Sequence, residues 1–392
     1  MWLLDLDSLD DTLTNTLLDA LHKSQAEHAH EDEDEPNPPH ENPWITVQIE
    51  KVCDDALHTN AKISDDLSRE LRKLIREPPP LIKAEGWAPW ERFRLRQTVD
   101  AIAAIPPRMR TLDDWVTLAE AIVNRYLDDN ALQDMGEYLS VVAYLSGIIR
   151  AHQGEQPDRV AIRTAHRLPR RLRDVPLEKL TAKDRFVLQV VVNDACAQVR
   201  DVGQRTRNRM RQMTARWVAR ITLGDPGATP DRLKSEMLDT FGTLNRDWRR
   251  IAITEAGNAT NTGFIAALPA GTQVRRMEAY RGACDFCQSI RDRVFTVVTT
   301  AKEPKDWDRE VWPGKTNIGR SASLRKRVGH LLVDREPDEL WSVPAGTVHP
   351  HCRGGWTVVH AKPVAVNADF DQWARAMLAS TAPRGTSVPL RG

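Results

Sequence analysis

Cysteine is scarce in this sequence, with five among 392 residues. That is too few for a disulfide framework, and it fits thiols kept reduced. An excess of one charge is also missing. Lys plus Arg is 55 and Asp plus Glu is 55, so net charge does not draw the chain to a polyanion. Any nucleic-acid contact has to come from a local patch. No apolar run approaches the roughly 20 residues that a bilayer span needs. The opening MWLLDLDSLDD has no basic flank and no small-residue cleavage site, and it reads as an acidic amphipathic helix rather than a secretion signal. A chain made and kept in a cytoplasm, with no membrane partner, is expected. No His-Glu-x-x-His protease motif is present. WPGKTN is not a phosphate loop, because the glycine required five residues before Gly314 is Arg309.

What is present is mostly helical pattern, over a length that suggests two or three domains. Residues 1–25 read as a leucine-rich amphipathic helix, a docking peptide or a segment folded back on the body. Residues 26–43 are acidic and proline-rich and read as a linker. Residues 44–177 read as a helical domain interrupted at Pro78 to Pro80. Thr111 and Asp114 have capping-box spacing, and Leu112, Trp115, Ala119, Ile122 and Tyr126 follow as an apolar stripe. Trp87, Trp90 and Phe93 read as core packing rather than a ligand cage. Residues 137–150 form a second buried helix, and residues 156–177 are basic.

Residues 178–269 form a long-helix region. One helix starts near Thr181 and Asp184 and runs to about Ile221. Arg205, Arg209, Arg216 and Arg220 share a face of it. They could track phosphates, or form a solvated face paired with acids. Thr229 and Pro230 suit an N-cap and first helical residue, and a further helix is expected after Gly242. On it, beside Thr254, Glu255, Asn258 and Asn261 place polar groups three to four residues apart on one side. A buried polar network is the expected role, with a catalytic carboxylate at Glu255 as the alternative. After Pro269, TQVRRMEAY, RVFTVV and GWTVVH read as strands. Residues 270–360 are then a small α+β domain, and residues 361–392 are a tail with one helical stretch. The fold class expected is mainly α in the N-terminal and central regions, followed by this α+β domain with a zinc-type Cys/His cluster.

The cluster comes from two stretches, RGACDFCQSI and VHPHCRGGW. Cys284 and Cys287 are one candidate pair of metal ligands, and His349 and Cys352 are the other, with His351 as an alternative to His349. A two-residue gap lets one turn supply two ligands to a tetrahedral zinc. Four protein ligands leave no open position, so the zinc expected is structural. Free thiols or a cystine are the other reading, while a redox Cys-x-x-Cys lacks its usual βαβ surroundings.

The order ITEAGNATNTGF, ACDFCQSIRDRVF, a basic insert and PAGTVHPHCRGGW resembles the phage Mu F-like minor head proteins, also called phage head morphogenesis proteins. The matching positions are Thr254, Glu255, Cys284, Cys287, Asp292, His349, Pro350, Cys352 and Arg353. The resemblance covers about residues 180–360. It departs at Gly354, where the family has a cysteine, and at His351 between Pro350 and Cys352. The resemblance implies a low-copy, non-catalytic head component that works at the portal vertex in procapsid assembly. Its implied partners are the portal protein, capsid or scaffold proteins and packaged DNA, in the host cytoplasm and then the virion head. Two alternatives from the residues remain. One is a zinc-dependent nuclease, for which His330 is the nearby candidate base. The other is a DNA-binding protein using the Arg205 to Arg220 face.

Overall fold

The computed structural model describes residues 43–76, 105–106, 109–153, 168–278 and 282–360, with a few positions between 369 and 376. The expectations for residues 1–25 and 26–42, for Trp87, Trp90 and Phe93, for residues 156–167 and for most of the tail lie outside the described residues. The chain is mainly helical with a small C-terminal sheet region, as its pattern implied. The helices are α1 (Pro43–Arg76), α2 (Leu112–Tyr126), α3 (Asp129–Gln153), α4 (Ala182–Thr222), α5 (Pro230–Ala267) and the short α6 (Asp285–Ile290). No helix among the described residues is long and apolar enough to cross a membrane.

The helix starts follow local chemistry. At α2 the Asp114 amide donates to the Thr111 hydroxyl at 3.2 Å, and the Thr111 amide donates to the Asp114 carboxylate at 2.8 Å. Such a cap contributes about 1 kcal/mol. Thr181 accepts the Asp184 amide before α4, and Thr229 accepts the Arg232 amide where Pro230 opens α5. Two details differ from the sequence reading. Leu112 is half-exposed, and the buried stripe of α2 is Trp115, Leu118, Ala119, Ile122 and Val123. Gly242 does not break the chain into two helices, because α5 runs through it. Phe241, Leu244 and Trp248 are all buried, which outweighs the roughly 1 kcal/mol that an internal glycine costs.

Contacts divide the chain into two units. Among the described residues one comprises 51–76, 105–106, 109–134 and 198–249, and the other 43–50, 135–153, 168–197, 250–278 and 282–360. They interleave in sequence, unlike the consecutive segments 44–177, 178–269 and 270–360, because α1, α3, α4 and α5 each contribute residues to both. The first unit buries Leu57, Leu71, Trp115, Met210, Trp217 and Trp248. It also holds a buried Asn60–Asn245 hydrogen bond of 2.5 Å and an Arg110–Glu70 pair at 2.9 Å.

In the second unit α3 and α5 approach closely. A Cβ on Gly147 would lie 2.1 Å from the Thr260 carbonyl oxygen, and one on Gly263 would lie 2.4 Å from that of Tyr144. The Thr260 hydroxyl donates to the Ala143 carbonyl at 3.1 Å. Beyond α5 lies a four-stranded sheet in the order β3-β2-β1-β6, with β1 (Gln273–Met277), β2 (Val294–Val297), β3 (Glu310–Val311) and β6 (Gly355–His360). Strand β1 is antiparallel to β2 and β6, and β3 is parallel to β2. Val274, Phe295, Val297 and Trp356 pack in one core with Phe264 and Ile265 of α5, and Cys287 and Cys352 belong to the same core.

The basic insert between the two Cys/His stretches contains strand β4 (Arg325–Val328). Strand β4 pairs with β5 (Leu331–Asp334) in a two-stranded sheet. Leu324, Val328, Leu331 and Leu332 are exposed there, so the strands carry no buried alternation to read. Gly329 turns the hairpin at a φ of 60°.

Candidate metal centre

The first ligand pair is positioned by α6. Cys284 is its N-cap, with extended backbone, and Cys287 lies within its first turn. Asp292 follows the helix at a φ of 62°, a left-handed position that Asp tolerates, and its amide donates to the Arg276 carbonyl at 2.9 Å. The turn therefore hangs on the neighbouring strand β1. The second pair sits in the loop before β6, where the Asn317 side-chain amide donates to the carbonyls of Ser342 and Val348.

The loop brings His349 to α6. Its Nε2 lies 3.3 Å from the Cys284 Sγ and 3.2 Å from the Cys287 Sγ. Its Nδ1 lies 2.8 Å from the Pro350 carbonyl oxygen. A carbonyl can only accept, so Nδ1 carries the proton and Nε2 keeps its lone pair towards the sulfurs. Trp341 stacks on the His349 ring at 5.5 Å, and Phe286 meets Trp341 edge-on. Cys284 is exposed, while Cys287 is buried. These three residues form one group that could hold a metal ion.

Cys352 belongs to a second such group, with Glu278 and Cys287. Cys287 is common to both and links them, but the four cysteine and histidine positions read from the sequence fall into two groups: Cys284, Cys287 and His349 in one, and Cys352 with Cys287 and Glu278 in the other. A hydrogen bond from Cys287, and then the Arg276 charge, hold the Cys352 thiol well below its ordinary pKa against the opposing effect of burial. His351, the alternative ligand, belongs to neither group. It is exposed at a φ of 67°, and its amide donates to the Thr254 hydroxyl at 2.8 Å.

Arg276 and Glu278 were not legible as site residues. Both are completely buried, with Arg276 Nε 2.6 Å from Glu278 Oε1. Arg276 also donates to the Gly346 carbonyl at 3.1 Å and approaches the Cys352 Sγ at 3.7 Å. Burial raises the Glu278 carboxyl above its usual pKa, and Arg276 opposes that rise. The signal available was two opposite charges two apart, at the end of β1 and just beyond it, which by itself names no partner.

The polar residues of α5 face this site. The Asn261 side chain donates to the Gly354 carbonyl at 2.7 Å. A Cβ on Gly346 would lie 1.8 Å from the Asn258 Oδ1, so Asn258 lies directly against that loop. Glu255 is buried, and its carboxyl is raised to about 7 by burial first and the Asp194 charge second.

The arginine face of α4 is only partly available. Arg220 is bound to Asp225 at 2.7 Å, to Glu236 at 3.1 Å and to the Gly227 carbonyl, and it lies over Trp217. Arg205 lies 3.7 Å from Asp201. Arg209 and Arg216 are exposed. Lys315 of WPGKTN is buried, and its ammonium donates to the Trp307 and Glu310 carbonyls at 2.5 and 2.9 Å. It is a loop anchor, consistent with rejecting a phosphate loop. His330 sits in the turn between β4 and β5 and belongs to neither metal group.

The class defined by these observations is a mainly helical chain with a small sheet region carrying a Cys/His cluster that could hold a metal ion. Comparison with protein-family models, with curated proteins and with solved structures gave no match.

Proposed function

We propose that this chain is a minor head component of a tailed phage or prophage, acting in head morphogenesis at or near the portal. In this reading zinc is bound by Cys284, Cys287, His349 and Cys352 and serves structure rather than chemistry. The portal protein and capsid or scaffold proteins are its partners, and packaged DNA is the polyanion available to Arg209 and Arg216.

One observation supports the reading most. The scattered pieces of the motif that resembles the Mu F-like proteins come together in space. Thr254 on α5 bonds the amide of His351, 97 residues on. Cys284 and Cys287 meet His349 across more than 60 residues. The matched positions therefore act together as one structural module, as expected if they share a common origin. A metal closed by four side chains has no open position for a reacting water, which favours an assembly role over a nuclease. Structural zinc contributes on the order of 10 kcal/mol to the folding of small domains, a large share for a sheet this small.

Mass spectrometry of purified particles and portal-containing procapsids, beside whole lysate, tests the role. Enrichment of this chain at a few copies per particle is the expected result. A chain abundant in lysate and absent from particles and procapsids would overturn it.

A further inference from the structure

We propose that Arg276 is the positioning residue of the fourth ligand, Cys352, and that Glu278 is the buttress that aims it. This rests on the reading that the Cys/His cluster holds a metal.

The argument starts from the guanidinium. Arg276 lies on β1 opposite Trp356 of β6, with its charge 5.1 Å from that ring centre, and it is completely buried. A guanidinium stays protonated in a protein, so a buried one needs fixed acceptors on its fork. The Nε takes Glu278 at 2.6 Å, Nη1 takes the Gly346 carbonyl at 3.1 Å, and Nη2 is left 3.7 Å from the Cys352 sulfur. The first two contacts fix the plane, and the third then points at the sulfur. Partners outside the ligand set orient the ligating atoms, and losing one typically costs about 10–100-fold in metal affinity.

Glu278 also accounts for the departure at residue 354. A Cβ on Gly354 would lie 2.0 to 2.3 Å from the Glu278 carboxylate atoms. A cysteine there has no room while Glu278 holds Arg276. The Glu278 carboxylate fills the space that a side chain at residue 354 would take, and Cys352 supplies the sulfur beside Arg276. The Glu278 Oε1 is committed to Arg276, and the Cys352 sulfur lies 4.0 and 3.9 Å from the two carboxylate oxygens. A site of three thiolates and one neutral imidazole carries one net negative charge with a divalent ion, and Arg276 places a fixed positive charge against it.

The test uses the full chain titrated with Co(II), reading the thiolate-to-metal absorption band and then alkylation of Cys352 by iodoacetamide. For the wild type a three-thiolate band is expected, and Cys352→Ser should lower it by about one third. Arg276→Lys keeps the charge and loses the fork. It should weaken Co(II) binding on the order of tenfold or more and speed Cys352 alkylation, while the band at saturation stays at three thiolates. Glu278→Gln preserves shape and should act in the same direction. It guards against misfolding of the first variant, and amide exchange on β1 and β6 reports folding in each.

A wild-type band that Cys352→Ser leaves unchanged would overturn the proposal and leave the metal reading standing. So would unaltered affinity and alkylation in both Arg276→Lys and Glu278→Gln. Absence of any band in the wild type would overturn the metal reading, and the proposal with it.

Discussion

The amide of His351 donates to the hydroxyl of Thr254 at 2.8 Å, joining α5 to the loop that carries His349 and Cys352. His351 holds a φ of 67°, so its backbone conformation needs an external partner to persist. The Thr254 hydroxyl donates to the Arg250 carbonyl at 2.6 Å, which leaves its oxygen free to accept from the amide. Thr254→Val should cost about 1–2 kcal/mol in urea unfolding, and Thr254→Ser should stay near wild type. Equal losses in both variants would assign the effect to packing instead.

Glu255 gives the chain a pH dependence of unusual sign. Its folded pKa is about 7, against an ordinary value of 4.5. Between those values the folded chain keeps a proton that the unfolded chain has lost. The favourable contribution of the neutral form is therefore full below pH 4.5 and fades as pH rises to 7, by on the order of 3 kcal/mol. Glu255→Gln should lose this slope and be more stable than wild type above pH 7. Parallel unfolding curves for the two chains from pH 4.5 to 8 would contradict it.

The parts of the fold that were legible are those set by neighbours in sequence. Thr111 with Asp114, Thr181 with Asp184 and Thr229 with Pro230 cap helices through local bonds, and each helix begins where they stand. The Cys284–Cys287 spacing was legible because one turn of α6 carries both sulfurs to within 3.3 Å of His349. Arg276 was not, because its partners Gly346 and Cys352 lie 70 and 76 positions away. The β4–β5 hairpin was missed because its apolar side chains are exposed and show no burial pattern. The interleaved units were missed because four uninterrupted helices contribute to both, and helical periodicity carries no mark of where a contact network divides.

The approach of α3 and α5 should be intolerant of a single methyl group. Gly263→Ala would put a Cβ 2.4 Å from the Tyr144 carbonyl oxygen, and Gly147→Ala would put one 2.1 Å from that of Thr260. Both neighbours are backbone, which cannot swing aside as a side chain can. Each substitution should destabilise by about 1–3 kcal/mol or more, although alanine favours a helix over glycine by roughly 1 kcal/mol. Chemical denaturation measures the sign directly. A stabilised Gly263→Ala chain would mean that the helices lie further apart than described.

Metal removal should act on the sheet region first. The Cys287–His349 contact closes a loop of 62 positions, and holding such a loop shut opposes chain entropy that the small sheet core meets only in part. The chain as purified should carry about one zinc. Chelation should then expose Cys284 and Cys287 to alkylation and speed amide exchange in α6, β1, β2 and β6. Exchange in α1 and α2 should change little, since Leu57, Leu71 and Trp115 are buried in the other unit. Acid should mimic the chelator, because protonated thiols cannot remain ligands. A chain that arrives metal-free and already protects those strands as well as a zinc-loaded sample would show that the sheet holds without its clamp.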